Sequence, residues 1–164
     1  KPYPDVVRNA VERTCRRWGI PYQESDGTLF VEAVPTWGPH ADVPEALAKL
    51  ARAFPLVILS NAADDLIGSN VAKLGAPFHA VYTAQQAQSY KPRLRGFEYM
   101  FDQLGCGPDD ILHVSSSLRY DLMPAYDLRI RNKVYVNRGF EPSTPFYGYH
   151  EMKDLGGLPG LLGL

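Results

Sequence analysis

The chain has 164 residues, and its 17 lysines and arginines against 18 aspartates and glutamates give a net charge of −1 with histidine neutral. Hydrophobic residues make up 45% and charged residues 21% of the sequence, as in an ordinary globular protein. No block of like charges marks a surface for nucleic acid or for an anionic membrane. Apolar runs are far shorter than the ~20 residues of a membrane-spanning helix. We therefore expect no nucleic-acid partner, no membrane partner and a cytoplasmic location.

Two cysteines, Cys15 and Cys106, are too few for a secreted disulfide framework and lack the paired spacing of a zinc site. We expect both to be small buried hydrophobic residues. The sequence thus indicates no metal ligand set and is consistent with a reducing compartment.

The first part of the chain is predicted to be helical. Residues 5–19 form an amphipathic pattern that Gly19 closes, and a second helix is expected around residues 27–34 within a connection rich in proline and aromatic residues. A third helix is predicted over 43–53, with Asp42 as its N-terminal capping residue.

Strands and helices then alternate along the chain. Leu56–Leu59 are four consecutive aliphatic residues, a pattern that suits a strand buried on both faces of a parallel sheet. The predicted order continues with helix 65–74, strand 80–83, helix 95–104, strand 111–114, short helix 124–128 and strand 133–136. This alternation predicts a doubly wound α/β fold with a Rossmann-like parallel sheet flanked by helices.

Polar residues follow three of the predicted strands. In open α/β sheets, ligands bind at the carboxyl ends of the strands, so these residues are the candidate site. Taken singly, each could be a turn, a helix cap or a surface charge, but their shared position at strand ends favours a site. They are Ser60 and Asn61 after the first strand, Lys91 after the second, and Ser115, Ser116, Ser117 and Asp121 after the third.

Four segments carry a resemblance to a known family. ILSNAADDL, YKPRLRGFEYMFDQLG and ILHVSSSLRYDLMPAYDL, followed by KVYVNRG, are similar to motifs two, three and four of the haloacid dehalogenase superfamily, in particular its type II 2-haloacid dehalogenase branch. The resemblance implies that residues 1–40 are the C-terminal part of a small helical cap domain. It implies that residues 41–164 are the core, which lacks its N-terminal strand.

The resemblance also implies a mechanism. In such enzymes an aspartate at the end of the first core strand displaces halide from the substrate carbon, and water then hydrolyses the resulting ester. By position, Ser60 and Asn61 would hold the substrate carboxylate, and Lys91 would keep the nucleophile ionised. Ser116, Ser117 and Asp121 would order the nucleophile, the lysine and the hydrolytic water.

The implied substrate is a short 2-haloalkanoic acid, the implied cofactor is none, and the family suggests a homodimer. The nucleophilic aspartate is not in the sequence, so this fragment by itself is expected to be inactive and its sheet to have unpaired edges. A weaker candidate for the nucleophile loop is Glu24–Leu29. A proline and a polar residue precede it, which argues against the buried strand that such a loop requires.

Two alternative functions stay open. Phosphatases of the superfamily carry Gly-Asp where this chain has Ser115-Ser116, and the loss of a carboxylate weakens a magnesium site. This difference favours metal-free dehalogenation over a magnesium-dependent phosphatase acting on a small metabolite. The second alternative is a non-catalytic relative that binds a small carboxylate.

Other residues depart from the family pattern or lie outside its motifs. Phe97 stands where the dehalogenases carry a tyrosine, and Arg129 replaces a glycine, so its turn must either avoid positive φ or be strained. His113 is predicted to be a satisfied core histidine. Tyr3, Phe30 and Trp37 are predicted to belong to the core of the cap, with contact to substrate as the alternative.

Overall fold

The computed structural model describes all 164 residues. The α-helices are α1 Tyr3–Trp18, α2 Glu24–Ala33, α3 Val43–Leu50, α4 Asp64–Ala72, α5 Ala84–Ala87, α6 Arg95–Leu104, α7 Met123–Asp127 and α8 Leu158–Leu161. The strands are β1 Val57–Ser60, β2 Ala80–Thr83, β3 Leu112–Ser115, β4 Asn132–Val136 and β5 His150–Met152. None of the helices combines the length and apolar character needed to cross a bilayer.

The strands form two parallel sheets. One contains β1 and β2, with Ser60 opposite Thr83, and the other contains β3, β4 and β5, with Ser115 opposite Tyr135. β1 and β3 are not hydrogen-bonded to each other, so each has an edge without a partner strand. The predicted α/β class is confirmed, but the single predicted sheet is present as two pieces.

The unpaired edge changes the burial of β1. All four of its residues are only half-buried, so the predicted burial on both faces is wrong. Helix α3 stops at Leu50, three residues before its predicted end. The bounds of β2 and α6 agree with the prediction, and Gly105 ends α6 with a positive φ of 63°.

Helices cover both faces of the larger sheet. Val134 and Val136 pack on α3 and α8 through Leu50 and Leu158, while α6 and α7 form a second core around Phe97 on the other side. This division follows from the alternation of side chains along β3, where Leu112 and Val114 pack on the first core and His113 contacts Phe97. Both cysteines lie outside these cores and are half-buried and free, which corrects the prediction of full burial.

α1 and α2 form a helical pair. A side chain at Gly27 would meet the Tyr22 hydroxyl at 2.8 Å and Arg8 Cγ at 3.0 Å, so the close approach of the two helices requires glycine. Since Gly27 lies within α2, the segment Glu24–Leu29 is helical and does not form a strand followed by a nucleophile loop.

Of the three aromatic residues predicted to fill the cap core, Tyr3 is half-buried and the other two are exposed. Phe30 and Trp37 each keep 52% of their surface accessible, which corrects that prediction. The segment around Trp37 is nevertheless fixed to the core. Asn70 of α4 and Lys73, which directly follows α4, both donate hydrogen bonds to the Trp37 carbonyl, at 2.9 and 3.2 Å.

Asp42 precedes α3 but does not cap it, which corrects the predicted role. Its carboxylate instead accepts two hydrogen bonds from Arg138, at 2.9 and 2.8 Å, and one from the Leu155 amide at 2.7 Å. The hydrogen bonds from Arg138 hold the pKa of Asp42 well below its usual range. The side chain therefore joins the start of α3 to the end of β4 and to the C-terminal segment.

Arg129 adopts a φ of 59°, the left-handed conformation that costs a side-chain-bearing residue roughly 1–2 kcal/mol. We expect Arg129→Gly to raise the free energy of unfolding by about 1 kcal/mol and the melting temperature by roughly 2–4 °C. The matched control is Arg131→Gly, because Arg131 is exposed and outside the left-handed region. Thermal unfolding checks the prediction, and a lower melting temperature for Arg129→Gly would contradict it.

Candidate functional site

The candidate site is built around a buried ion pair. The Lys91 ammonium group lies 2.9 Å from Asp121 Oδ1 and donates to the Leu59 carbonyl at 2.8 Å. The side chains are only 13% and 8% exposed. Because Leu59 belongs to β1 and Asp121 follows β3, the lysine joins the carboxyl ends of the two sheets.

Asn61 fixes the backbone of Lys91. Its side-chain Nδ2 donates to the Lys91 carbonyl at 3.1 Å, and its Oδ1 accepts from the Lys91 amide at 2.7 Å. These paired hydrogen bonds set the position from which the lysine side chain reaches the ion pair. One Nδ2 hydrogen stays free, so the predicted binding of a substrate carboxylate by Asn61 remains a prediction.

Asp121 lies in a turn of π-helix over Leu118–Leu122. Such turns are rare and often occur at functional sites. The Ser117 hydroxyl accepts from the Tyr120 amide at 3.2 Å and donates to the Glu141 carboxylate at 3.2 Å. Glu141 also accepts from the Leu118 amide at 3.1 Å, so a distant loop holds the start of the π-helix.

The ion pair is charged at neutral pH. Burial would raise the pKa of Asp121, but the approach of His113 and the positive charge of Lys91 outweigh burial and lower it to about 2. Asp121 thus provides a fixed negative charge, and Lys91 a fixed partner for it.

The predicted serines are placed differently. Ser60 Oγ accepts from the Ala62 amide at 3.1 Å, and Ser60 lines a cavity of about 320 Å³ together with Tyr3 and Trp37. Ser116 is exposed and its side chain makes no hydrogen bond, while Ser117 is bonded to Glu141. The structure therefore brings together Lys91, Asp121 and Asn61, and the ordering roles of Ser116 and Ser117 stay predictions.

No three histidine, cysteine, aspartate or glutamate side chains converge as metal ligands.

No family model matches the chain. It is 29% identical over 118 residues to the (S)-2-haloacid dehalogenase of Pseudomonas sp. strain YL, covering 70% of this chain and 51% of that protein. It is 32% identical over 116 residues to the (S)-2-haloacid dehalogenase of Xanthobacter autotrophicus, covering 68% of this chain and 45% of that protein. The chain thus spans about half the length of the curated relatives it matches.

A solved structure gives the corresponding fold. It is the L-2-haloacid dehalogenase of Xanthobacter autotrophicus with chloropropionic acid covalently bound, which matches 99% of this chain and 76% of that one. The TM-score is 0.82 at 24% identity. The chain belongs to the haloacid dehalogenase superfamily. The family resemblance drawn from the sequence motifs is therefore confirmed.

Within the haloacid dehalogenase fold of this chain, sequence reasoning missed two contributors to the site. Glu141 follows β4 in a loop, and nothing in its surroundings in the sequence indicates that it binds the π-helix. His113 lies on β3 two residues before Ser115, and so on the same face of the strand, which is a signal that could have placed it near the strand end.

Proposed function

We propose that the protein containing this chain hydrolyses short 2-haloalkanoic acids through an aspartyl ester, without a metal cofactor. The buried pair of Lys91 and Asp121 carries the proposal, because it fixes a positive charge where the ends of β1 and β3 meet. The names of the relatives support the substrate class, since both are (S)-2-haloacid dehalogenases.

The unpaired edges of β1 and β3 support the position proposed for the nucleophile. We infer that a further parallel strand of the parent protein lies between them and ends in the nucleophilic aspartate. Lys91 Nζ has three N–H groups, and two are bonded to Leu59 and Asp121. The third is free to donate to a carboxylate at the end of such a strand, which keeps that carboxylate ionised.

In the first step an oxygen of the nucleophilic carboxylate forms a bond to C2 of the substrate. The bond from C2 to the halogen breaks, and the halide leaves with the electron pair and with inversion at C2. Ser60, whose hydroxyl hydrogen is free to donate, and the remaining amide hydrogen of Asn61 would hold the substrate carboxylate during this displacement.

In the second step water attacks the carbonyl carbon of the aspartyl ester. The bond from that carbon to the substrate oxygen breaks, which releases the 2-hydroxy acid, restores the carboxylate and leaves one proton for solvent. Asp121 keeps Lys91 in place throughout, and Lys91 stabilises the negative charge that develops on the carbonyl oxygen of the aspartyl ester.

Three finer assignments belong to the same proposal. Residues 1–40 would be the end of a cap domain and residues 41–164 the core, which is supported by the packing of α1 and α2 on each other as a helical pair. A cytoplasmic location is supported by the two free cysteines. A homodimer rests on the family resemblance.

The test uses the intact parent protein and each enantiomer of 2-chloropropionate, with chloride and 2-hydroxypropionate measured separately. We expect equal amounts of both products and the same rate in EDTA. In a single turnover with excess enzyme in ¹⁸O-labelled water, the label should enter the aspartyl carboxylate and not the hydroxy acid, because water attacks the ester at the aspartyl carbon.

Two outcomes would contradict the proposal. Release of phosphate from small phosphate monoesters that EDTA abolishes, with no chloride release, would identify a phosphatase. Absence of both reactions, with stabilisation of the protein by propionate against thermal unfolding, would identify a carboxylate-binding relative.

A further inference from the structure

His113 is a buried histidine with an unsatisfied ring nitrogen. It lies on β3 with its side chain 12% exposed, and the Phe97 ring packs on it at 5.1 Å between centroids. Its Nε2 is buried and makes no well-aligned hydrogen bond, yet lies 3.3 Å from Asp121 Oδ1. The sequence-based prediction of a satisfied core histidine is therefore wrong for Nε2.

We propose that His113 is a positioning residue for Asp121, and that its protonated ring supplies a second positive charge to the oxygen that Lys91 already binds. Both groups approach the same atom, Asp121 Oδ1, from different elements, β3 and the loop before α6. Phe97 limits the movement of the ring, so Nε2 stays directed at the carboxylate.

The charges around His113 are few. Asp121 supplies the negative charge and Lys91 a positive one, while α6 presents the apolar Phe97. Lys133 is the register partner of His113 on β4, but its ammonium group donates to the Ile130 carbonyl. Asp121 and Lys91 are therefore the charged groups gathered at this ring.

The role of His113 in the reaction rests on the proposed function. With a neutral ring, Lys91, Asp121 and the ionised nucleophile carry a net charge of −1, whereas a protonated ring makes the cluster neutral. Histidine is the side chain that ordinarily changes charge between pH 5 and 8. An anionic substrate would then bind more tightly at the acidic end of this range.

The test measures the contact in the intact parent protein and needs no turnover, so it stays independent of whether that protein is a dehalogenase. A double-mutant cycle combines His113→Phe with Asp121→Asn, and urea unfolding is measured at pH 5.5 and 8.5. We expect a coupling of about fivefold to tenfold in the unfolding equilibrium constant at pH 5.5. At pH 8.5 the coupling should fall below about twofold, because an ordinary histidine ring is neutral at that pH.

A second variant separates charge from packing. Gln in place of His113 keeps an N–H donor at every pH, so the cycle of His113→Gln with Asp121→Asn should give the same coupling at both pH values. It also serves if His113→Phe does not fold. The control cycle uses His150→Phe, because His150 is exposed on β5 and should show no coupling to Asp121. Coupling below twofold at pH 5.5, or equal coupling of His113 at both pH values, would overturn the proposal.

Discussion

Replacing Lys91 with methionine is expected to lower halide release by the intact protein by about a hundredfold to a thousandfold. The substitution removes the positive charge that keeps the nucleophile ionised and stabilises the displacement, and one such donor is typically worth 10²–10³ in rate. Methionine keeps most of the apolar volume of the lysine side chain, so the packing of the site should be preserved. The loss of activity should therefore appear in kcat. Steady-state chloride release from 2-chloropropionate measures it.

The control for this prediction is Lys49→Met. Lys49 lies on α3 and pairs with Glu45 one helical turn away, with both side chains more than half exposed. Its replacement should leave kcat unchanged, and circular dichroism should show the same fold for both variants. Retention of more than a tenth of the activity by Lys91→Met would remove this lysine from the mechanism.

Local patterns in the sequence were sufficient for much of the fold. The aliphatic run before Ser60 places β1 to within one residue, and the glycine at position 105 ends α6 where predicted. The polar residues after β2 and β3 lie at a shared edge, since Lys91 reaches Asp121 across 30 residues. The bounds of β1 and α6, in contrast, depend on residues that are close together in sequence.

The misses have a common physical origin. Asp42 is a good capping residue by type, but the Arg138 guanidinium, 96 residues away, forms two charge-assisted hydrogen bonds to it. Glu141 binds the π-helix across 23 residues, and the π-helix itself has no local sequence signal that was recognised. Long-range hydrogen bonds to charged side chains override local preference at Asp42 and, through Glu141, help to hold the π-helix that carries Asp121.

The buried ion pair should also dominate the stability of the site. In the 164-residue chain at pH 7, Lys91→Met leaves the Asp121 carboxylate 8% exposed and without its cation. Breaking a buried pair in this way typically costs about 3–5 kcal/mol. The double variant Lys91→Met with Asp121→Asn removes both charges and should recover most of that loss. Urea unfolding of the chain, both single variants and the double variant measures the effect.

The loss of stability caused by Lys91→Met should also depend on pH in a defined direction. With Lys91 present, the pKa of Asp121 is about 2, below the value of ~3.9 for an unfolded aspartate, so its stabilising contribution is full above pH 4 and is lost as the pH falls through 2. Burial raises the pKa of Asp121 and the charge of Lys91 lowers it, so the pKa of Asp121 rises when Lys91 is removed. Protonation then removes the buried charge, so the cost of Lys91→Met should be smaller at pH 4.5 than at pH 7. An equal cost at both pH values would mean that the carboxylate is stabilised by groups other than Lys91.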